Sequence, residues 1–140
     1  MKKLKVYIII LLFIFIAGMA KGVSDTLQFH YKKSVFAEIE NEQWWNPAIS
    51  WKNKYKDYDN GDKSEAYLGS RSLFVWRTDA WHLAQTFETG AWVFALLVAI
   101  RLAYLGAIRK TWSSLIGFGA LSIFVFYVGF LFLYGWLLVL

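Results

Sequence analysis

The chain has 140 residues, enough for one domain, and 58% of them are apolar, above the roughly 45–50% of soluble domains. This excess favours a membrane protein, and the absence of cysteine excludes disulfides, thiolate metal sites and a cysteine nucleophile. The formal charge of +5 forms no single basic stretch, since residues 21–71 hold eight basic and eight acidic residues, so no nucleic-acid partner is expected.

The first apolar run, residues 6–20, follows a start that contains three lysines. Such a start is shared by signal peptides, which are cleaved after a small residue such as Ala20, and by first transmembrane helices. Because residues 21–28 contain no proline, the helix can continue to residue 28 and reach the ~20 residues that cross a hydrocarbon core. We favour an uncleaved span over 6–28, with removal of residues 1–20 as the alternative.

Residues 31–69 are expected to form an irregular, aromatic-rich extracytoplasmic loop, because they hold the only proline, Pro47, and a turn-like run at 59–62. Their dense aromatic residues are typical of a belt that anchors at the membrane interface. The alternative is a surface that recognises a lipid headgroup or a glycan. The candidates for such a headgroup or anion site are Trp44, Trp45, Trp51, Lys52, Lys54, Arg71 and Arg77.

Residues 70–88 are predicted to form a helix that carries Arg77, Asp79 and His82 between apolar segments. On insertion scales, each charge near the centre of a span costs ~2.5–3.5 kcal/mol. We therefore expect an interfacial or partly embedded helix here, and a four-span protein is the alternative.

Two further transmembrane helices are predicted over 91–108 and 113–139, the second without any charged side chain. The fold class is thus an all-α integral membrane protein, with one membrane domain over 1–140 and three spans. The basic residues near the start and around Arg101, Arg109 and Lys110 place the amino terminus in the cytoplasm by the positive-inside rule. The expected location is the bacterial cytoplasmic (inner) membrane, so the lipid bilayer itself is a partner.

Four phrases carry a resemblance to a known group of proteins: DTLQFHY at 25–31, WWNPAISWKNKY at 44–55, LGS at 68–70 and TDAWHL at 78–83. The phrases occur in this order between apolar helices and cover roughly the first 60% of the chain. In this respect the chain resembles a set of small bacterial membrane proteins without an assigned activity. The resemblance implies a fold with a polar site and implies no reaction.

A metal site is one interpretation of the two histidines. Asp79 and His82 share a helix face at i and i+3 spacing, and Asp25 and His30 lie at the outer end of the first helix. Together the four could bind a divalent metal such as zinc, which would activate water. However, a five-residue spacing separates Asp25 from His30 by about 140° on a regular helix. The structural alternative is that each of these side chains forms only local hydrogen bonds or ion pairs and binds no metal.

The expected function is binding or organisation of a partner or a lipid headgroup at the outer membrane–water interface, with a lipid or a glycan as the ligand. The alternative is a small metal-dependent hydrolase or transferase that acts on a lipid-linked substrate through Asp25, His30, Asp79 and His82. Gly18 and Gly22 form a small-xxx-small pair, which indicates close helix packing within the chain or a homo-oligomer.

Overall fold

A computed structural model of the chain describes residues 2–57, 59, 63–105 and 112–138, with helices and turns throughout and one isolated β-bridge, between Tyr55 and Ala66. The α-helices in this part of the chain are α1, Lys2–His30; α2, Glu42–Trp45; α3, Pro47–Ser50; α4, Ala80–Tyr104; and α5, Trp112–Tyr134. Helices α1, α4 and α5 are long and apolar enough to cross a membrane. The prediction of an all-helical chain with three such helices is confirmed.

Helix α1 is the centre of the fold, because α4 and α5 each pack mainly against it. It runs antiparallel to α4: the rings of Phe13 and Phe94 lie 4.1 Å apart, and Ile10 and Leu102 belong to one buried cluster. Tyr7 contacts Phe118 near the start of α5, at a centroid distance of 5.4 Å. The start of α1, the end of α4 and the start of α5 therefore lie at the same end of the molecule.

Helices α1 and α5 cross with their backbones in close contact at three glycines. A Cβ atom at Gly18 would overlap the carbonyl oxygen of Phe126, and one at Gly129 would overlap the carbonyl oxygen of Phe15. At Gly22 the nearest atom would be the Phe130 carbonyl oxygen, 2.9 Å away. The Gly18/Gly22 surface is thus covered by α5 of the same chain, and an oligomer through these glycines would require α5 to leave.

The described residues of 31–79, which we call the cap, cover the opposite end of the three helices. The cap contains α2, α3 and four 3₁₀ helices, Tyr31–Lys33, Val35–Glu38, Trp51–Lys54 and Val75–Arg77. It packs on a buried cluster of Leu27, Phe36 and Ala80, in which the ring of Trp45 stacks on Phe36 at 5.0 Å. The residues that follow α5 also meet the cap, because the Val35 N–H donates to the Leu138 carbonyl at 3.1 Å.

The prediction of a separate helix over 70–88 is wrong. Residues 68–74 form turns, Val75–Arg77 is a 3₁₀ turn, and α4 starts at Ala80 and continues without a break to Tyr104. Asp79 sets this start because its carboxylate caps the helix. Gly90 does not end the helix, since a glycine costs only about 1 kcal/mol within a long apolar helix. The four-span alternative required a span within residues 70–88, and this segment is instead divided between the cap and α4.

Two predicted boundaries extend past the described part of the chain. The predicted span over 91–108 ends in residues 106–108, and the one over 113–139 ends at residue 139, all of which lie outside the described residues. Arg109 and Lys110 lie outside them as well.

Candidate functional site

Asp79 is a fully buried and hydrogen-bonded carboxylate, only 1% exposed. Its backbone is extended, and its Oδ1 accepts a hydrogen bond from the His82 backbone N–H at 2.9 Å, as an N-cap residue does. The Thr78 hydroxyl donates to Oδ2 at 2.8 Å. The sequence Thr78-Asp79 before an apolar helix therefore fixes both the start of α4 and the position of a buried carboxylate.

The His82 ring is held by this carboxylate. Its Nδ1 lies 2.8 Å from Oδ1 and 2.7 Å from Oδ2 of Asp79. Burial alone would raise the pKa of Asp79, but the hydrogen bonds from the His82 ring, the His82 backbone and Thr78 hold that pKa below its usual value. An ionised carboxylate only accepts hydrogen bonds, so Nδ1 carries a proton and donates to it.

Lys54 lies on the other side of the same ring. Its Nζ is 3.2 Å from His82 Nε2, and an ammonium group can only donate. With its proton on Nδ1, the imidazole presents the Nε2 lone pair to Lys54. Polar contacts therefore connect the buried carboxylate of Asp79 to the His82 ring, and that ring to the half-buried ammonium group of Lys54. We call these three side chains the polar chain.

Amide side chains tie the cap to the start of α4. The Asn53 amide donates to the Thr78 carbonyl at 2.7 Å and to the Gln43 carbonyl at 3.0 Å, and it accepts from the Gln43 amide at 2.8 Å. The Ser70 hydroxyl donates to the Lys54 carbonyl at 2.7 Å. These bonds place Lys54 next to His82, although the two residues are far apart in sequence.

A cavity of about 250 Å³ lies beside His82. The indole N–H of Trp81 is buried in its wall and has no hydrogen-bond acceptor among the described residues. The indole N–H of Trp51 is satisfied, since it donates to the Ala48 carbonyl at 3.1 Å. The other described lining residues are Gln28, Pro47, Ser50, Asp79 and His82. The cavity thus combines two aromatic walls with several polar groups.

A second cavity of about 390 Å³ adjoins the first, because Gln28 and Pro47 line both. Its wall contains His30, Lys32 and Lys33, and no carboxylate is among its described lining residues. We call the two cavities together the cap groove. Its lysine end would attract an anion, and its tryptophan end would accept a less charged polar group.

The four residues of the predicted metal site are not brought together. Asp25 pairs with Lys21 at 2.6 Å, and His30 Nε2 lies 2.6 Å from the Tyr134 hydroxyl. Helix α1 stays regular through His30, so the five-residue spacing leaves Asp25 and His30 on different faces. Within the described ranges, no three histidine, aspartate or glutamate side chains are close enough to hold a metal ion. Asp79 and His82 alone of the four are in contact.

The predicted headgroup candidates are dispersed over the cap. Trp44 and Trp45 pack inward on the buried cluster under the cap, whereas Trp51 lines the cap groove. Arg71 donates to the Lys63 carbonyl at 2.7 Å and lies 5.0 Å from the centre of the Tyr55 ring. Lys52 shares the 3₁₀ helix Trp51–Lys54 with the His82 partner Lys54, and Arg77 lies 5.8 Å from the centre of the Trp76 ring.

Sequence reasoning missed Gln28, Lys32 and Lys33 as lining residues of the groove. The signal for the lysines was available, because Lys32-Lys33 directly follows the predicted end of the first span, where cations meet lipid phosphates. Gln28 gave no such signal, since its role depends on the cap folding back over α1.

Searches of the chain against protein-family models, curated proteins and solved structures found no match.

Proposed function

We propose that this protein spans a membrane and binds a phosphate-bearing lipid headgroup in the cap groove. The observation that carries the proposal is the lysine end of the groove, which has Lys32, Lys33 and His30 in its wall and no carboxylate among the described lining residues. A phosphate group there would meet these cations directly, and the Glu42 carboxylate, which is not in the wall, accepts a hydrogen bond from the Asn46 amide at 2.7 Å. The tryptophan end would take the glycerol or sugar part of the headgroup against Trp51 and Trp81.

The length of α1 supports a position of the groove at the depth of the lipid headgroups. Counted from Leu4, about 20 residues at 1.5 Å each cross a hydrocarbon core of ~30 Å. Residues beyond about 24 then emerge from the core, so His30, Lys32 and Lys33 reach the layer of lipid phosphates. The cap aromatics lie at the same level, where amphipathic rings are favoured.

The orientation follows from the charges at the other end of the helices. The start of α1 and the end of α4 share that end, which gathers Lys5 and Arg101 with the lysines at positions 2 and 3. By the positive-inside rule this end faces the cytoplasm. The cap, including residues 31–69, then faces outward from a cytoplasmic membrane of the bacterial type, and the groove binds lipids of the outer leaflet.

Removal of the two groove lysines tests the proposal. In nanodiscs of equal parts phosphatidylglycerol and phosphatidylcholine, we expect Lys32→Gln/Lys33→Gln to lower the ratio of phosphatidylglycerol to phosphatidylcholine retained by the protein about thirtyfold, since each basic residue near a lipid surface contributes roughly 1 kcal/mol. Native mass spectrometry of the ejected protein measures this ratio.

The matched control is Lys52→Gln/Lys56→Gln, which removes the same charge from the cap outside the wall of the groove. We expect it to retain the wild-type lipid ratio. An equal loss in both double variants would show a general surface attraction and would contradict a headgroup site in the groove.

One observation favours a second candidate, a metal-independent hydrolase or transferase. A buried carboxylate that orients an imidazole is the arrangement of a general base, and Ser50, which is 3% exposed, lines the same cavity as His82. In such a reaction Lys54 would move from Nε2, which would take the proton of the attacking hydroxyl. In phosphatidylglycerol vesicles, this candidate requires release of fatty acid or glycerol phosphate that His82→Gln abolishes; no release by the wild-type protein would refute it.

A further inference from the structure

The membrane-facing side of the molecule contains an apolar crevice that the cap groove does not use. One cavity of about 290 Å³ lies between α1, α4 and Leu133 of α5, and a second of about 480 Å³ lies between α1 and α4. Ile16, Leu83 and Phe87 line both, so the two cavities adjoin. We call them together the helix crevice.

The crevice results from the way in which α4 and α5 pack against α1. The glycines of α1 allow α5 to approach one face of α1 closely, and four small residues of α4 are buried: Ala80, Ala84, Ala91 and Ala95. Helix α5 packs mainly on α1 and contributes only Leu133 to the described wall of the crevice. Trp44 and Trp45 line the crevice under the cap, and Trp76 lines its second cavity.

The crevice has a cation at its rim. Arg77 follows Trp76, its guanidinium lies 5.8 Å from the centre of that ring, and it is exposed. It forms no ion pair with any carboxylate in the described part of the chain. An apolar channel beneath indole rings, with the exposed Arg77 side chain beside Trp76, matches the shape and charge of a phospholipid.

We propose that the helix crevice binds an acyl chain of an anionic phospholipid whose phosphate contacts Arg77. The volumes favour an acyl chain over a helix of a second copy. A single helical turn, about 10 Å across and 5.4 Å long, occupies roughly 400 Å³, less than the cavity of about 480 Å³ but more than the one of about 290 Å³, so a helix could not pass through both. A flexible chain enters both cavities without displacing Trp44 or Trp45. This site is separate from the cap groove and does not depend on it.

Photo-crosslinking with a defined lipid tests the site. The probe is phosphatidylglycerol with a diazirine in one acyl chain, in nanodiscs of phosphatidylcholine that hold the full-length protein. We expect mass spectrometry to locate the crosslinks on peptides that contain Ile16, Leu83 or Phe87. Leu83→Trp, which fills the crevice at the point the two cavities share, should lower this labelling at least fivefold.

Two control variants separate the crevice from general lipid contact and from the groove. Leu97→Trp adds the same ring to α4 at a side chain that is 59% exposed and outside the crevice, and it should leave the labelling unchanged. Lys32→Gln/Lys33→Gln should leave it unchanged as well, so the failure of one lipid site would not hide the other. Arg77→Gln should lower labelling by the phosphatidylglycerol probe but not by the matching phosphatidylcholine probe.

The proposal would be overturned if Leu83→Trp retained full labelling, or if labelling were equal along all exposed faces of α4. It would also be overturned if Leu83→Trp changed the oligomeric mass in nanodiscs, because a second copy of the chain would then occupy the crevice. Far-ultraviolet circular dichroism and the detergent melting curve of Leu83→Trp establish that the variant is folded. If it is not, Phe87→Trp, at a more exposed position of the same wall, takes its place.

Discussion

Replacement of Gly129 by alanine should weaken the contact between α1 and α5 more than any other single added methyl group on α5. The new Cβ would overlap the Phe15 carbonyl oxygen, a backbone atom that moves only if α1 moves. Overpacking of this kind costs about 1–3 kcal/mol. We expect a loss at the upper end of that range in the free energy of unfolding, measured by titration of the detergent-solubilised protein with sodium dodecyl sulfate.

Gly119→Ala is the matched control, because it adds the same methyl group to the same helix. A Cβ at Gly119 meets nothing within 4 Å among the described residues. Because alanine has a higher helix propensity than glycine, Gly119→Ala should increase the free energy of unfolding by up to about 1 kcal/mol. A similar loss in both variants would show that the glycines act through helix propensity and not through a backbone contact.

Gly18→Ala tests the same crossing from the opposite helix. Its Cβ would overlap the Phe126 carbonyl oxygen, so it forces the two helices apart at a second point. Once one substitution has separated the helices, the second has less contact left to disrupt. The loss in the Gly18→Ala/Gly129→Ala double variant should therefore be smaller than the sum of the two single losses.

The three long helices were predictable from sequence because each depends on a local property. Runs of apolar residues long enough to cross a bilayer are visible in one dimension, and the Trp112–Tyr134 helix carries no charge at all. The crossing of α1 and α5 was only partly predictable. Gly18 and Gly22 indicated a close contact, but nothing local indicated that Gly129, rather than Gly117 or Gly119, would be the partner.

The error over 70–88 has a physical origin. Hydropathy and charge showed correctly that this segment is neither a normal span nor a normal loop, but Asp79 divides it into a cap region and the first turns of α4. An aspartate before an apolar run is a helix start signal. The prediction used its charge and its spacing to His82, and it overlooked its capacity to cap.

Within the candidate site, only the contact between Asp79 and His82 was predictable from the sequence. Spacing placed Asp79 and His82 on one face, and the structure places their side chains in contact. The partner Lys54 is brought there by the hydrogen bonds of Asn53 with Gln43 and Thr78. Those bonds depend on how the cap folds, and no periodicity or spacing in the sequence specifies them.

Asp79→Ala should be the most destabilising change in the cap. It removes the N-cap of α4, at a cost of about 1–2 kcal/mol. It also leaves the Nδ1–H of the His82 ring without its acceptor, at about 1–3 kcal/mol for a buried unsatisfied group, whereas the Thr78 hydroxyl can still donate to the Val75 carbonyl at 2.7 Å. We expect a total loss of about 3 kcal/mol in the same unfolding titration. Asp79→Asn, which retains a capping oxygen but not the charge, should lose less.

The pH dependence of this stability separates the charge of Asp79 from its shape. Because the folded protein holds the pKa of Asp79 below its unfolded value of about 3.9, the unfolded chain binds the proton more readily. The stabilisation by the carboxylate is therefore complete above about pH 4 and is lost as the pH falls through the lower folded pKa. Asp79→Asn should lack this part of the acid loss, whereas Glu65→Gln, which alters an exposed pair with Lys56, should retain it. An identical acid loss in wild type and Asp79→Asn would mean that the carboxylate of Asp79 is not ionised in the folded protein, and the polar chain to Lys54 would then have to start at His82.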